Sequence, residues 1–401
     1  MTAFRQPPTP PPASAKPRVP VPKPRALRGD ATTPPVSIGI AGLGRSGWNI
    51  HADTLAALPQ RFTVVAVADG QATRREEATQ RFGCEAYADV DAMLADPKLE
   101  AVVIATPNTL HAAHAISAFE HGLHVVAEKP MAMDLSEADA MIGAASRAGR
   151  LLAPFQNRRF EAGFLKVREI IDSGQLGRVV QVRMCWHQFT RRWDWQVVRD
   201  QGGGLLRVNG THLIDQAMQF LGDGPVEVFA DLQRALSCGD AEDHVKVLLR
   251  GDGPTIDIEL SNANAWPQDR WLIMGTAGSL RGTPDGLRWK TLDWSAMPRR
   301  ELDTRPFAAG RAYPKEEIAW TEHQWEGHSD KHDPYVAFYE DFFAGLREGK
   351  PLAVSPQSVR RTIDVVNRAY AQTEHRFAAS PLAKTPATDA TAASEKPCTP
   401  A

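Results

Sequence analysis

Cysteine is scarce. The 401 residues hold four, Cys84, Cys185, Cys238 and Cys398, none in a CxxC pair or a Cys/His cluster. That spacing indicates neither a disulfide framework nor a structural zinc site. No run of about 18 uncharged apolar residues occurs, so a membrane span is not expected. Neither sign of charge dominates: 46 Lys and Arg face 48 Asp and Glu, for a net charge of −2. The whole chain therefore has no field to draw nucleic acid or an anionic membrane. No apolar segment precedes residue 35, which speaks against a secretory signal and makes a reducing cytoplasm the expected compartment.

Proline is plentiful but uneven. Residues 1–35 hold eleven of the 30 prolines and six Lys/Arg, with no acid before Asp30. Proline lacks the N–H and fixes φ, so this segment reads as an extended, disordered arm. Residues 377–401 are mostly Ala, Thr, Pro and Ser and read as a disordered tail. The interval between them is too long for one ordinary core and fits two domains, expected at 36–155 and 156–376.

Inside that interval short apolar runs alternate with helical stretches. Val36–Ala41, Phe62–Ala68, Ala101–Ala105 and Leu123–Ala127 read as buried strands, with helices after each. This α/β rhythm implies a parallel sheet covered on both faces. After residue 155 the rhythm changes. Several strand-like runs fall at hairpin spacing between Val226 and Met274, which implies a large, mainly antiparallel open sheet. Two helices, near 334–348 and 355–373, close the globular part.

The turn after the first strand is Gly42-Leu43-Gly44-Arg45-Ser46-Gly47, and the second strand ends at Asp69, 27 residues after Gly42. The first glycine permits a tight turn, the second lets backbone approach a pyrophosphate, and the third allows close helix–strand packing. Arg45 and Ser46 sit where the helix N-terminus would meet phosphate. Asp69 would accept from the ribose hydroxyls and repel a 2′-phosphate, which favours NAD over NADP. Arg74 and Arg75 could accommodate the extra phosphate.

Two further segments are Ala105-Thr106-Pro107-Asn108-Thr109-Leu110-His111 and Ala127-Glu128-Lys129-Pro130. Together with the glycine turn, the Gly202-Gly203-Gly204 run ahead of His212, and Gly275-Thr276-Ala277-Gly278, they resemble the Gfo/Idh/MocA family over about residues 36–375. The resemblance implies a Rossmann domain, a second α/β domain on an open sheet, and hydride transfer between a nicotinamide and a hydroxyl carbon of a sugar, glycoside or cyclitol. It places Thr106, Asn108, His111 and Glu128 near the cofactor and Lys129 beside both nicotinamide and substrate oxygen. An ammonium there stabilises developing alkoxide charge. The family's second catalytic element, Asp-x-x-x-His, is incomplete: His212 is present, but Val208 stands at the aspartate position. His212 is the candidate acid or base, with Asn209 and Asp215 as neighbouring candidates. The resemblance also implies a homodimer or homotetramer.

Trp186, His187, Phe189, Arg192, Trp193, Asp194 and Trp195 form an aromatic stretch ahead of the glycine run. Aromatic faces beside polar groups suit carbohydrate rings, Asp194, Arg192 and His187 could bind hydroxyls, and Arg191 and Arg192 also suit a carboxylate; Arg158 lies in Asn157-Arg158-Arg159, which resembles a family segment that can approach the substrate. Burial of the same aromatics in an oligomer interface is the other reading. His111, His114, His121 and His124 lack a carboxylate at ligand spacing, so no metal site is expected. The leading function is an NAD(P)-dependent dehydrogenase. A glycosidase working through transient oxidation with bound NAD, and a non-catalytic sugar- or dinucleotide-responsive regulator, are the alternatives.

Overall fold

The structure is a computed structural model that describes residues 33–302, 313, 315–327 and 333–373. The expected arm, apart from residues 33–35, and the expected tail at 377–401 lie outside the described residues. In the first half the elements run β1 (Val36–Ala41), α1 (Asp53–Ala57), β2 (Phe62–Ala68), α2 (Ala72–Phe82), β3 (Glu85–Tyr87), α3 (Val90–Leu94), β4 (Ala101–Ile104), α4 (His111–Glu120), β5 (His124–Ala127), α5 (Leu135–Ala148) and β6 (Leu152–Pro154). The six strands pair in the order β3-β2-β1-β4-β5-β6, parallel throughout. The apolar runs of β1, β4 and β5 are buried on both faces, as a sheet covered on two sides requires. The α2 and α5 helices end on Gly83 and Gly149, both at positive φ, where a side chain would be strained. Asp89 and Asp134 cap α3 and α5 by accepting from Ala92 and Glu137 N–H.

The second half runs α6 (Ala162–Asp172), β7 (Val179–His187), α7 (Thr211–Met218), β8 (Glu227–Gln233), β9 (His244–Arg250), β10 (Thr255–Ser261), β11 (Trp271–Gly275), β12 (Gly278–Thr283), β13 (Gly286–Thr291), β14 (Thr321–Glu326), α8 (Asp333–Glu348) and α9 (Pro356–Thr373). Its eight strands order as β14-β13-β12-β11-β7-β10-β9-β8, antiparallel except for the β7–β10 pair. Alternate residues (Val182 and Met184, Val245 and Val247, Ile256 and Ile258, Trp271 and Ile273) enter one core. The opposite face carries an ionic ladder in which Lys246 Nζ lies 2.5 Å from Asp257 and 3.1 Å from Glu259.

The sequence groups residues 156–376 together, but α8 does not stay with the second sheet. Phe338, Tyr339, Phe342 and Phe343 of α8 bury in the first core, against Phe62 and Phe155. Burial of each such ring is worth about 1.5–3 kcal/mol. The α9 helix serves both cores: Val359 and Ile363 enter the first, Val365, Val366, Ala369 and Tyr370 the second. Hydrophobic periodicity marked both as helices, but it does not say which core a helix joins.

Candidate active site

Helix begins at Arg45, inside the glycine turn, and widens into a π-helical segment over Gly47–Ala52. The three glycines have different surroundings. Gly42 is at φ +90°, and a Cβ there would lie 2.5 Å from the Ala105 carbonyl oxygen. A Cβ on Gly47 would overlap the Gly42 carbonyl oxygen. A Cβ on Gly44 would meet nothing within 4 Å and would project into open space. Asp69 Oδ2 accepts from Leu43 N–H at 2.8 Å and Oδ1 from Gln71 N–H at 2.9 Å, which fixes the carboxylate against the loop. Arg74 Nη1 lies 3.3 Å from the same carboxylate, whereas Arg75 donates to the Asp69 and Gly70 carbonyls.

At the end of β5 the peptide between Lys129 and Pro130 is cis. Lys129 Nζ is turned inward and donates to the Val208 carbonyl at 2.8 Å. Burial draws its pKa below the ordinary lysine value; Glu128 opposes this, and Arg45 and Arg158 add to it. Behind the lysine runs a buried chain. Tyr339 lies 2.7 Å from His51 Nδ1, His51 Nε2 lies 3.2 Å from Glu128 Oε1, and Glu128 Oε2 accepts from Lys129 N–H at 2.8 Å. Burial works against the Glu128 charge, but His51 and Lys129 outweigh it and hold the carboxyl down at about 2. Glu128 therefore stays ionised and keeps the ammonium form of Lys129 favourable.

His212, near the start of α7, faces Lys129 across the cavity. Its Nδ1 lies 3.1 Å from Gln156 Oε1, while Gln156 Nε2 lies 3.2 Å from Thr211 Oγ1. With the amide oriented by Thr211, the His212 proton belongs on Nδ1 and the Nε2 lone pair is free. Burial, then the charges of Arg158, Lys129 and Arg270, push its pKa well below the ordinary histidine value. The neutral imidazole is thus favoured, and it is a weaker base than its residue type alone suggests.

A cavity of about 1450 Å³ joins these parts, at the carboxyl ends of the parallel strands where such sheets bind ligands. Gly42, Gly44, Arg45, Ser46, Asp69, Thr106, Asn108, His111, Glu128 and Lys129 line one end, and Arg158, Trp186, Arg192, Trp195, Asn209 and His212 the other. Gly47 packs behind the turn. Asp215 is a correction: it is buried away from the cavity, gripped by Arg159 through two contacts of 2.6 Å and by Thr362 Oγ1 at 3.3 Å. It pins α7 to the segment after β6 and to α9. Thr106 and His111 are also partly committed. Thr106 Oγ1 lies 3.0 Å from His114, and the His111 ring nitrogens each lie 2.9 Å from a carbonyl, of Pro130 and Thr106. Of the aromatic stretch, Trp186 and Trp195 face the cavity, while Phe189 and Trp193 are exposed. His51, Tyr339 and Gln156 are site residues that sequence reasoning missed. His51 follows Gly47 by one helical turn and Gln156 precedes the Asn157-Arg158-Arg159 segment, so position could have flagged both; nothing in the sequence links Tyr339 to Glu128.

Residues 36–155 match the family model described as oxidoreductase family, NAD-binding Rossmann fold, and residues 164–281 match the GFO/IDH/MocA C-terminal domain. An uncharacterised oxidoreductase of Schizosaccharomyces pombe is 32% identical over 259 residues, covering 61% of this chain and 70% of that protein. The chain belongs to the Gfo/Idh/MocA oxidoreductase family. A scyllo-inositol 2-dehydrogenase (NADP(+)) of Bacillus subtilis is 24% identical over 361 residues, 87% of this chain and 97% of that one. The solved structure of an NAD-binding protein from Listeria innocua superposes with a TM-score of 0.71 at 27% identity, covering 86% of this chain and 99% of that chain. This family member is an oxidoreductase with an NAD-binding Rossmann domain. The open cradle at Gly44 and the fixed Asp69 carboxylate fit such a dinucleotide. Among the described residues no group of three His, Cys, Asp or Glu could hold a metal ion, and no helix is long and apolar enough to cross a membrane.

Proposed function

We propose that the chain is an NAD-dependent dehydrogenase acting on a hydroxyl carbon of a sugar, glycoside or cyclitol. One observation carries this reading: an inward lysine and a neutral histidine with a free Nε2 line one cavity with the glycine turn. Bound NAD supplies the hydride acceptor. Lys129, with one proton committed to Val208, holds the substrate oxygen through its other N–H bonds and stabilises negative charge there. His212 Nε2 takes the hydroxyl proton. Trp186 and Trp195 offer apolar faces to the ring. Arg74 on Asp69 leaves NAD favoured, because a 2′-phosphate would displace that pair and meet the carboxylate. The name of the inositol dehydrogenase relative supports the substrate class.

The test is a screen of sugars, glycosides and inositols with NAD and NADP, followed at the nicotinamide absorbance, for wild type and Lys129→Ala. The variant should lose about 10²–10⁴-fold in kcat and keep its NAD affinity. Undiminished turnover would remove Lys129 from the mechanism. We further propose a homodimer or homotetramer formed through the outward face of the second sheet, where Phe229 is exposed beside the ionic ladder. Sedimentation reporting a monomer would exclude it.

A further inference from the structure

Val208 stands where the family pattern has an aspartate, and the only contact it gives Lys129 Nζ is a neutral backbone carbonyl. The groups that act on the lysine's charge are Glu128 beside it, which favours the ammonium, and Arg45 on the glycine turn and Arg158 after β6, which oppose it. His212 faces it from α7. Burial already draws Lys129 below the ordinary lysine value, so its charge leans on Glu128. Glu128 is itself buried, where an ionised carboxylate needs donors. Its Oε2 has the Lys129 N–H, and its Oε1 has His51 Nε2. The partner on the far side of His51 decides which ring nitrogen carries the proton. Tyr339 of α8 is fully buried, and its hydroxyl has no acceptor among the described residues other than His51 Nδ1, 2.7 Å away. A buried O–H without an acceptor is costly, so the phenol donates and Nδ1 accepts. The ring proton then lies on Nε2, aimed at Glu128 Oε1. Phe155 holds the imidazole from the side, with ring centres 4.5 Å apart.

We propose that His51 and Tyr339 are positioning residues for Lys129: the phenol fixes the imidazole, the imidazole N–H fixes the charge on Glu128, and that charge keeps Lys129 an ammonium in place of the aspartate that position 208 lacks. The proposal rests on the dehydrogenase reading above, in which the ammonium stabilises the substrate oxygen, and deepens it. Neither residue touches the cavity's contents; both act through Glu128. Without the His51 N–H, the buried carboxylate has one donor fewer and takes up a proton more readily. Its charge beside Lys129 is then lost, Arg45 and Arg158 stay, and the lysine deprotonates at lower pH. The device joins three distant segments. The helix after the glycine turn supplies His51, the end of β5 supplies Glu128 and Lys129, and α8, nearly 290 residues after His51, supplies the hydroxyl that orients the ring.

The full chain is labelled with trace acetic anhydride from neutral to alkaline pH, and acetylation of Lys129 is followed by mass spectrometry. The pH midpoint of labelling reports the charge state of the amine, and the plateau reports its accessibility. His51→Leu should lower the midpoint, so that labelling at a fixed pH below it rises about tenfold, the effect of losing one opposite charge. Glu128→Gln should do the same. His51→Gln, whose amide can donate to Glu128 and accept from Tyr339, should keep the wild-type midpoint. His51→Leu/Tyr339→Phe leaves no phenol O–H unpaired and carries the test should the single variant not fold. A merely structural role for His51 would change the plateau and leave the midpoint in place. An unmoved midpoint in the leucine variants, or a lowered one in His51→Gln, would overturn the proposal. The basic limb of the kcat profile gives the second arm and should move to lower pH in the same variants. A midpoint that falls while that limb stays put supports the His51–Glu128 link and overturns the ammonium role of Lys129 in the dehydrogenase reading.

Discussion

Gly44 and Gly47 stand three residues apart in one turn, yet alanine should do opposite things at them. At Gly47 the new Cβ would fall on the Gly42 carbonyl oxygen. Backbone must move, and overpacking of this kind costs about 3 kcal/mol. At Gly44 the Cβ meets no protein atom within 4 Å, and φ is outside the left-handed region. Gly44→Ala should therefore fold as well as wild type or gain about 0.5 kcal/mol from a less flexible unfolded chain. The same methyl occupies the cradle where pyrophosphate must approach, and we expect NAD affinity to fall about 30-fold, which is ~2 kcal/mol. With NAD at 100 times the wild-type Kd, the ligand stabilises wild type by about 2.7 kcal/mol; for a 30-fold weaker variant that falls to ~0.9 kcal/mol. Thermal melts of wild type and both variants, with and without NAD, read these differences at roughly 2–4 °C per kcal/mol. Gly47→Ala should melt well below wild type without ligand. Gly44→Ala should melt with wild type until NAD is added and then fall behind. A Gly44→Ala protein with full NAD stabilisation would refute the assignment of that cradle to the pyrophosphate.

Gln156→Leu removes the acceptor that fixes the His212 tautomer, and should lower kcat about 10–100-fold with NAD affinity unchanged. Gln156→Glu should raise the acid limb of the kcat profile by favouring imidazolium; an unmoved limb would show that Gln156 does not govern His212. Asp69→Ser releases Arg74, so the NAD-to-NADP ratio of kcat/KM should fall at least about tenfold. An unchanged ratio would exclude Asp69 as the discriminator. His124 is held down to about 4 by burial and by Arg150, and its Nδ1 accepts from Leu151 N–H. Between pH 6.5 and about 4 the unfolded chain binds the extra proton, so stability falls as pH drops through that window. Discounted for its partial exposure, the loss is about 1–2 kcal/mol. His124→Asn keeps the acceptor without titrating, and urea melts at pH 7 and 4.5 should show a smaller drop; equal drops would refute the assignment.

Most of the first domain was legible because its signals are local. Apolar runs with Gly83 and Gly149 behind their helices announce strand, helix and stop within a few residues. The cofactor end was legible for a related reason: Gly42, Gly44, Gly47 and Asp69 carry backbone conformation and charge at a fixed spacing. Asp215 misled because helical spacing puts it near His212, while its partner Arg159 lies 56 residues away and ties it to packing. Tyr339 was invisible for the same reason: its role depends on meeting His51 across the fold. The π-helical segments at Gly47–Ala52 and Leu206–Gly210 leave little periodic signature, yet the second one presents the Val208 carbonyl to Lys129.

The return of α8 and α9 to the first core sets a schedule for synthesis. All six strands of the NAD-binding sheet have been synthesised by residue 154, but Phe342 and Phe338, which pack on Phe62 and Phe155, and Ile363 of the same core follow roughly 200 residues later. At about 5–20 residues per second, that sheet waits ~10–40 s with an aromatic flank bare. A nascent chain released during that interval has its cofactor turn in place and its stickiest surface uncovered. Chaperone dependence should therefore peak in the second half of translation and end only when the last helix emerges.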